Sequence, residues 1–216
     1  MTASLAERLR NETRGLHTEV ERSTLMHALL RGELSLLLYC MLLRNLHAIY
    51  LALEAALVHH AQQPLLAPIF ASALFRTDAL EQDLNTLYGP LWDQAIALQP
   101  ASRLYVDRLR ELDQTRSVLL VAHSYVRYLG DLSGGQILKR IVAKSFQLPD
   151  RAGTAFYDFG ASDRTRALTH GFRAGLDSID AHEDQIADIV TEAQQAFVLH
   201  RDLFAQLAQA GGMAAP

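Results

Sequence analysis

Cysteine is almost missing from this chain. Cys40 is the only one in 216 residues, which excludes a disulfide framework, a cysteine-rich zinc or iron–sulfur site and attachment of a cofactor through paired thiols. Neither sign of charge dominates. Twenty basic residues against 24 acidic ones give a net charge of −4, which argues against a nucleic-acid binder working by bulk electrostatics. Long hydrophobic runs are missing too: the most apolar stretch, Leu34 to Leu43, meets Arg44 and Asn45 at once and is too short to span a bilayer. The opening MTASLAERLRNETRGLH alternates charge with leucine, unlike a secretory signal, and the closing AQAGGMAAP offers nothing to hold a membrane. These absences predict a soluble cytoplasmic protein with neither membrane nor nucleic acid as partner. Familiar catalytic motifs are also absent. No Glu is followed by His three residues on, and HExxH and the phosphate- and dinucleotide-binding glycine loops do not occur.

What the chain does have is helix-forming sequence. Half of its residues are apolar and a fifth are charged, enough for a sizeable core under a wet surface. Six prolines and few alternating apolar–polar runs point to helices. Ser4 with Glu7 forms a capping-box start, after which Leu5, Leu9, Leu16 and Val20 share a narrow arc. Further helices are predicted over Leu25–Leu30 (stopped at Gly32), Ser35–Ala61, from an Asp78/Glu81 start to Gly89-Pro90, and over Ser102–Leu112. Three more are predicted over Ser117–Phe146, Ser162–Ser178 and Asp180–Leu207, the last with an Asp180/Glu183 cap, while Pro149–Gly160 reads as a loop. No repeat or composition shift marks a boundary. The expectation is one all-α, multi-helix domain over 1–208 with a disordered tail over 209–216.

Two constellations carry possible chemistry. In the first helix Arg10, Arg14, His17 and Glu21 fall on one stripe beside the leucines. An imidazole at an apolar edge with two guanidinium groups suits a flat apolar ligand carrying carboxylates around a central metal. A solvated flank is the ordinary reading of such a stripe, and from this helix alone it is favoured, because boundary histidines are common. The second constellation is AHSYVRYLGDLSGGQILKR, Ala122 to Arg140, where His123, Arg127, Gly130, Asp131 and Gly134 share a right-angle arc. A glycine inside a helix costs about 1 kcal/mol relative to alanine, and three of them (Gly130, Gly134 and Gly135) need a reason. Close packing of another helix and contact with a large flat ligand both satisfy it.

The stretch LLVAHSYVRYLGDLSGGQILK, Leu119 to Lys139, resembles the signature of heme oxygenases. LHTEVE around His17, NLHAIYLALE around Tyr50, ALEQDLNTLYGP from Ala79 to Pro90 and AFVLHRDLF near the C-terminus follow in family order, so the resemblance spans Leu5 to Leu207. It implies a heme oxygenase-like bundle with heme b held between a proximal N-terminal helix and a glycine-kinked distal helix. By resemblance, His17 is the proximal iron ligand, Gly130 and Gly134 let the distal backbone approach the heme, and Asp131 orders a water network near dioxygen with Tyr50 and Arg127. Arg10, Arg14, Tyr125 and Arg173 match positions that contact or steer the propionates, and Phe197 an aromatic beside the heme. Arg10 and Arg14 stand where many relatives carry lysine. Thr169 replaces a basic propionate partner, and His200 replaces a residue that is often asparagine. His123 lies on the glycine side and is read as structural. The remaining histidines, including His59 and His60, receive no role.

The resemblance further implies opening of heme by dioxygen to biliverdin, by resemblance the alpha isomer, with carbon monoxide and Fe2+. A soluble ferredoxin-, flavodoxin- or reductase-like partner would supply electrons and dock on Lys139, Arg140 and Lys144, although a solvated face is the plainer reading of those three. A monomer is the default. The competing reading is a heme carrier or sensor that uses the same pocket without turnover.

Overall fold

Serine side chains open the first three helices. The Ser4, Ser23 and Ser35 hydroxyls accept the backbone N–H groups of Glu7, Met26 and Leu38, each cap contributing about 1 kcal/mol. They set α1 (Leu5–Glu21), α2 (Thr24–Arg31) and α3 (Leu36–His59). Gly32 ends α2 in the left-handed conformation (φ 70°), which only glycine adopts without strain. The computed structural model describes residues 3–149 and 152–213. Within them the chain continues through α4 (Thr77–Leu87), the short α5 (Trp92–Ala95), α6 (Pro100–Thr115), α7 (Leu120–Ser145), α8 (Ser162–Asp177) and α9 (Glu183–Ala210), and there are no strands.

Most predicted helices stand within a few residues of where the pattern put them. Three details differ for physical reasons. The start of α4 is not capped by Asp78. Glu54, reaching across from α3, accepts the backbone N–H groups of Arg76 and Thr77 and the Thr77 hydroxyl. The last helix begins three residues after Asp180, with the His182 N–H bonded to the Gln185 side chain at 3.1 Å. It then runs to Ala210, and Met213 packs on the core, so the tail predicted from 209 begins as helix and turn; residues 214–216 lie outside the described residues. Within the predicted loop over Pro149–Gly160, a 3-10 turn at Ala155–Tyr157 buries Phe156 and Tyr157. Asp83 of α4 holds that turn by accepting the N–H groups of Ala155 and Phe156.

One hydrophobic core joins residues from α1 to α9. α3 is the single helix long and apolar enough to cross a membrane among the described residues, but 61% of that window is buried inside the protein. Two of its buried polar side chains are bonded within the protein, Asn45 to Met41 and Gln99 and Glu54 to the α4 start, as in a core helix. α9 packs on α1 and on α7, and α8 packs on both as well, whereas α1 and α7 form no packed face with each other. That arrangement leaves a slot between α1 and α7 with α9 as its wall.

Candidate active site

The slot is a cavity of about 860 Å3, at the upper end of the range of small-molecule sites. α1 lines one side with Arg10, Arg14, His17 and Glu21; α7 lines the other with Tyr125, Arg127, Gly130, Asp131 and Gly134. Phe197 and His200 come from α9 and Arg173 from α8. Of the twelve residues given a role at the ligand and His200, all but Tyr50 therefore meet at one cavity. Tyr50 stands just behind, fully buried, and reaches it through Asp131. Thr169 is not among the lining residues; its hydroxyl bonds back to the Thr165 carbonyl at 2.8 Å.

On the α1 side the His17 ring meets the edge of Phe197 at 5.8 Å and 78°. Its Nδ1 lies 3.4 Å from a Glu21 oxygen. A carboxylate this near one ring nitrogen leaves Nε2 to offer its lone pair to the cavity, the usual arrangement behind a metal-ligating histidine. Arg10, Arg14 and Arg173 sit exposed at the cavity rim and pair with no acidic side chain among the described residues. Three unpaired guanidinium groups around an apolar slot fit a ligand that carries its own carboxylates.

On the α7 side the glycines divide. A Cβ built on Gly135 would stand 3.5 Å from the Tyr157 carbonyl, whereas at Gly130 and Gly134 nothing lies within 4 Å. Gly135 borders the cavity as well but is packed against the Tyr157 backbone. Gly130 and Gly134 face open cavity, so neither owes its small size to a protein neighbour. α7 is continuous helix through all three. Gly134→Ala should accordingly stabilise the heme-free chain by about 1 kcal/mol and reduce turnover with heme. Thermal unfolding of the heme-free variant beside its product yield checks both, and an unchanged rate and product would count against a role at the ligand.

Behind the glycines four side chains are tied together. Tyr50 donates its hydroxyl proton to Asp131, and Arg127 Nε donates to the Tyr50 oxygen at 3.2 Å. Arg127 also donates to His200 Nδ1 at 2.9 Å and lies 3.6 Å from the second Asp131 oxygen. Burial pushes the Asp131 carboxyl above its ordinary value, against the pull of Arg127, Tyr50 and Arg76. Burial and then the Arg127 charge hold His200 well below the usual histidine range, so it is neutral and accepts. Burial keeps the proton on Tyr50.

His123 is not part of this set. It is fully buried, with Nδ1 3.2 Å from the Tyr105 hydroxyl and Nε2 2.9 Å from Glu192. Burial holds it neutral, so it accepts from Tyr105 and donates to Glu192. Glu192 also takes two bonds from Arg108, at 3.0 and 2.5 Å. Burial opposes the Glu192 charge, yet His123 and Arg108 together bring its pKa down to about 2. The sequence reading missed Glu192, although a signal was present. It is an acid on the apolar face shared by Ile189, Ala193 and Ala196, where a charge needs a partner. Glu192→Ala should destabilise the fold by about 3 kcal/mol at neutral pH. Because the group is depressed from 4.5 to about 2, its contribution is complete above 4.5 and disappears as pH falls through that interval. Chemical unfolding should show a constant gap between wild type and variant near neutrality, narrowing below pH 4.5.

Comparisons with known proteins converge on the same reading. The family model "Heme oxygenase" matches residues 3–206. Heme oxygenase 1 of Nostoc sp. is 40% identical over 207 residues, covering 96% of this chain and 87% of that protein. Heme oxygenase 1 of Rattus norvegicus is 38% identical over 209 residues, covering 96% of this chain and 72% of that one. Among solved structures, heme oxygenase-2 from Synechocystis sp. PCC 6803 in complex with heme and NO superposes with a TM-score of 0.92 at 40% identity, over 97% of this chain and 87% of that one. A match this long and this similar, on a chain whose slot already places an imidazole opposite bare helix backbone, leaves one conclusion: this chain belongs to the heme oxygenase family.

Proposed function

We propose that this protein opens heme b, with dioxygen and electrons from a partner, to biliverdin, carbon monoxide and Fe2+, with the residues of the α1–α7 slot in the roles set out below. The observation that carries the reading is the pairing of His17 on one wall with two side-chain-free positions, Gly130 and Gly134, on the other, and a buried carboxyl beside them. Heme serves as both substrate and centre of oxygen activation, supplying the iron and the macrocycle that is oxidised.

The chain's own groups do the rest. His17, aligned by Glu21 and braced by Phe197, offers a neutral imidazole, a weaker electron donor than thiolate and one less suited to O–O scission. Arg10, Arg14 and Arg173, together with Tyr125 of the same cavity, hold the propionates and fix which edge of the ring points inward. Gly130 and Gly134 place no acid directly over the iron and let the α7 backbone close in, so dioxygen is confined toward one meso edge. Asp131 holds a proton nearby and passes it on through water; Tyr50 and Arg127 fix its orientation. His200, held neutral, accepts the Arg127 hydrogen bond that an asparagine oxygen would accept.

A non-catalytic carrier would gain from a second strong ligand. The two histidines nearest the α7 side are committed elsewhere, His123 to Tyr105 and Glu192 and His200 to Arg127. Hemin, reductant and oxygen should therefore give green pigment and carbon monoxide, and a stable heme spectrum under those conditions would make the protein a carrier. We assign the alpha isomer, a soluble acidic electron donor, a monomer and a cytoplasmic location. Lys139 bonds to Asp158 at 2.6 Å, which leaves exposed Arg140 and Lys144 as the cations for that donor.

A further inference from the structure

Far from the slot, where α3 and α6 both end, His59, His60 and Asp113 converge. His59 Nδ1 and His60 Nε2 each lie 2.9 Å from the same Asp113 oxygen, and the three donor atoms all fall within 4.8 Å of one another. Consecutive residues on a helix point about 100° apart, so two adjacent imidazoles do not ordinarily share a partner. Here α3 stops at His59, and His60 leaves the helix at φ −106°, ψ 18°, which turns both rings to one side with centroids 4.4 Å apart.

From these positions we propose that His59, His60 and Asp113 form a binding site for a divalent first-row transition metal, of which zinc is the type. Two imidazole nitrogens and a carboxylate are an established zinc donor set. A fourth donor is at hand in the Asp113 carbonyl oxygen, 3.0 Å from His60 Nε2. Tetrahedral donors at about 2.0–2.1 Å from zinc stand roughly 3.3 Å apart, so the observed 2.9 Å spacings open by only a few tenths of an ångström when an ion replaces the shared protons. The position also favours a cation. Two helix C-termini meet there, each presenting the negative end of its dipole. His60 and Asp113 are part-buried while His59 is open to solvent, which gives the ion a path in. Once bound, it would clamp the end of α3 to the end of α6.

The test uses the untagged, heme-free chain titrated with Zn2+ by calorimetry at neutral pH, with Co2+ absorption as a second readout. One ion per chain should bind with release of protons, Co2+ should show tetrahedral visible bands, and the thermal midpoint should rise. His60→Ala and Asp113→Asn should each abolish this binding while still taking up heme, which verifies their fold; His17→Ala should bind Zn2+ as wild type does. Binding that survives both substitutions, or that disappears in His17→Ala, would overturn the proposal, as would a wild type that binds no more than Asp113→Asn.

Discussion

Asp131→Ala is expected to bind heme with its axial ligand intact and to lose biliverdin production by about 10²- to 10⁴-fold, the range ascribed to a placed proton donor. The carboxyl is buried between Tyr50 and Arg127 and has its pKa raised by that burial. A raised value brings its proton on and off nearer the working pH than an exposed aspartate allows. Truncation also leaves Arg127 with one fewer counter-charge in a buried setting, which destabilises. Asp131→Asn keeps the shape and an acceptor for Tyr50 but cannot ionise, so it removes the chemistry with less disturbance of packing. The measurements are the heme titration, which should be close to wild type for Asp131→Asn, and single-turnover product analysis. Biliverdin at the normal rate from either variant would remove Asp131 from the proton path.

His17→Ala should lose the normal axial coordination and most turnover, and added imidazole should restore part of both. Groups that merely orient a metal-bound histidine are already worth about 10- to 100-fold, so removing the histidine itself belongs at or beyond the top of that range. Rescue is plausible on geometric grounds. The ring is half exposed and braced only by Phe197 and Glu21, so its removal opens a gap that solvent and a small base can enter. Electronic spectra of the heme complex with and without imidazole, followed by turnover, check this. A variant that keeps both the wild-type spectrum and the rate would assign the ligand elsewhere.

Local chemistry was legible in the sequence and long-range chemistry was not. The starts of α1 to α3 could be read because each serine bonds a residue three positions on. The start of α4 could not, because its cap is Glu54, more than twenty residues earlier and on another helix. The glycines of α7 show the same division. Gly134 and Gly135 are adjacent in sequence and equally in need of explanation. Only the placement of the 155–157 turn assigns one to packing and the other to the slot. The stripe of Arg10, Arg14, His17 and Glu21 was visible as a pattern, yet an ordinary solvated flank has the same pattern. What separates the two is that the arginines find no acid among the described residues and the histidine has a wall facing it, both properties of tertiary structure. The motif around Asp131 carried the family, and the bonds among Tyr50, Arg127 and His200 emerge only when α3, α7 and α9 are assembled.

α9 touches both walls of the slot within a single turn. Phe197 rests on His17, and His200, three residues and about 4.5 Å further along the axis, accepts from Arg127. Any sliding or rotation of that helix would shift the His17 ring and the Arg127 guanidinium in concert. Substitutions along α9 will therefore alter ligand strength and regiochemistry as a linked pair, and an engineer who wants to retune one alone has to work from α1 or α7.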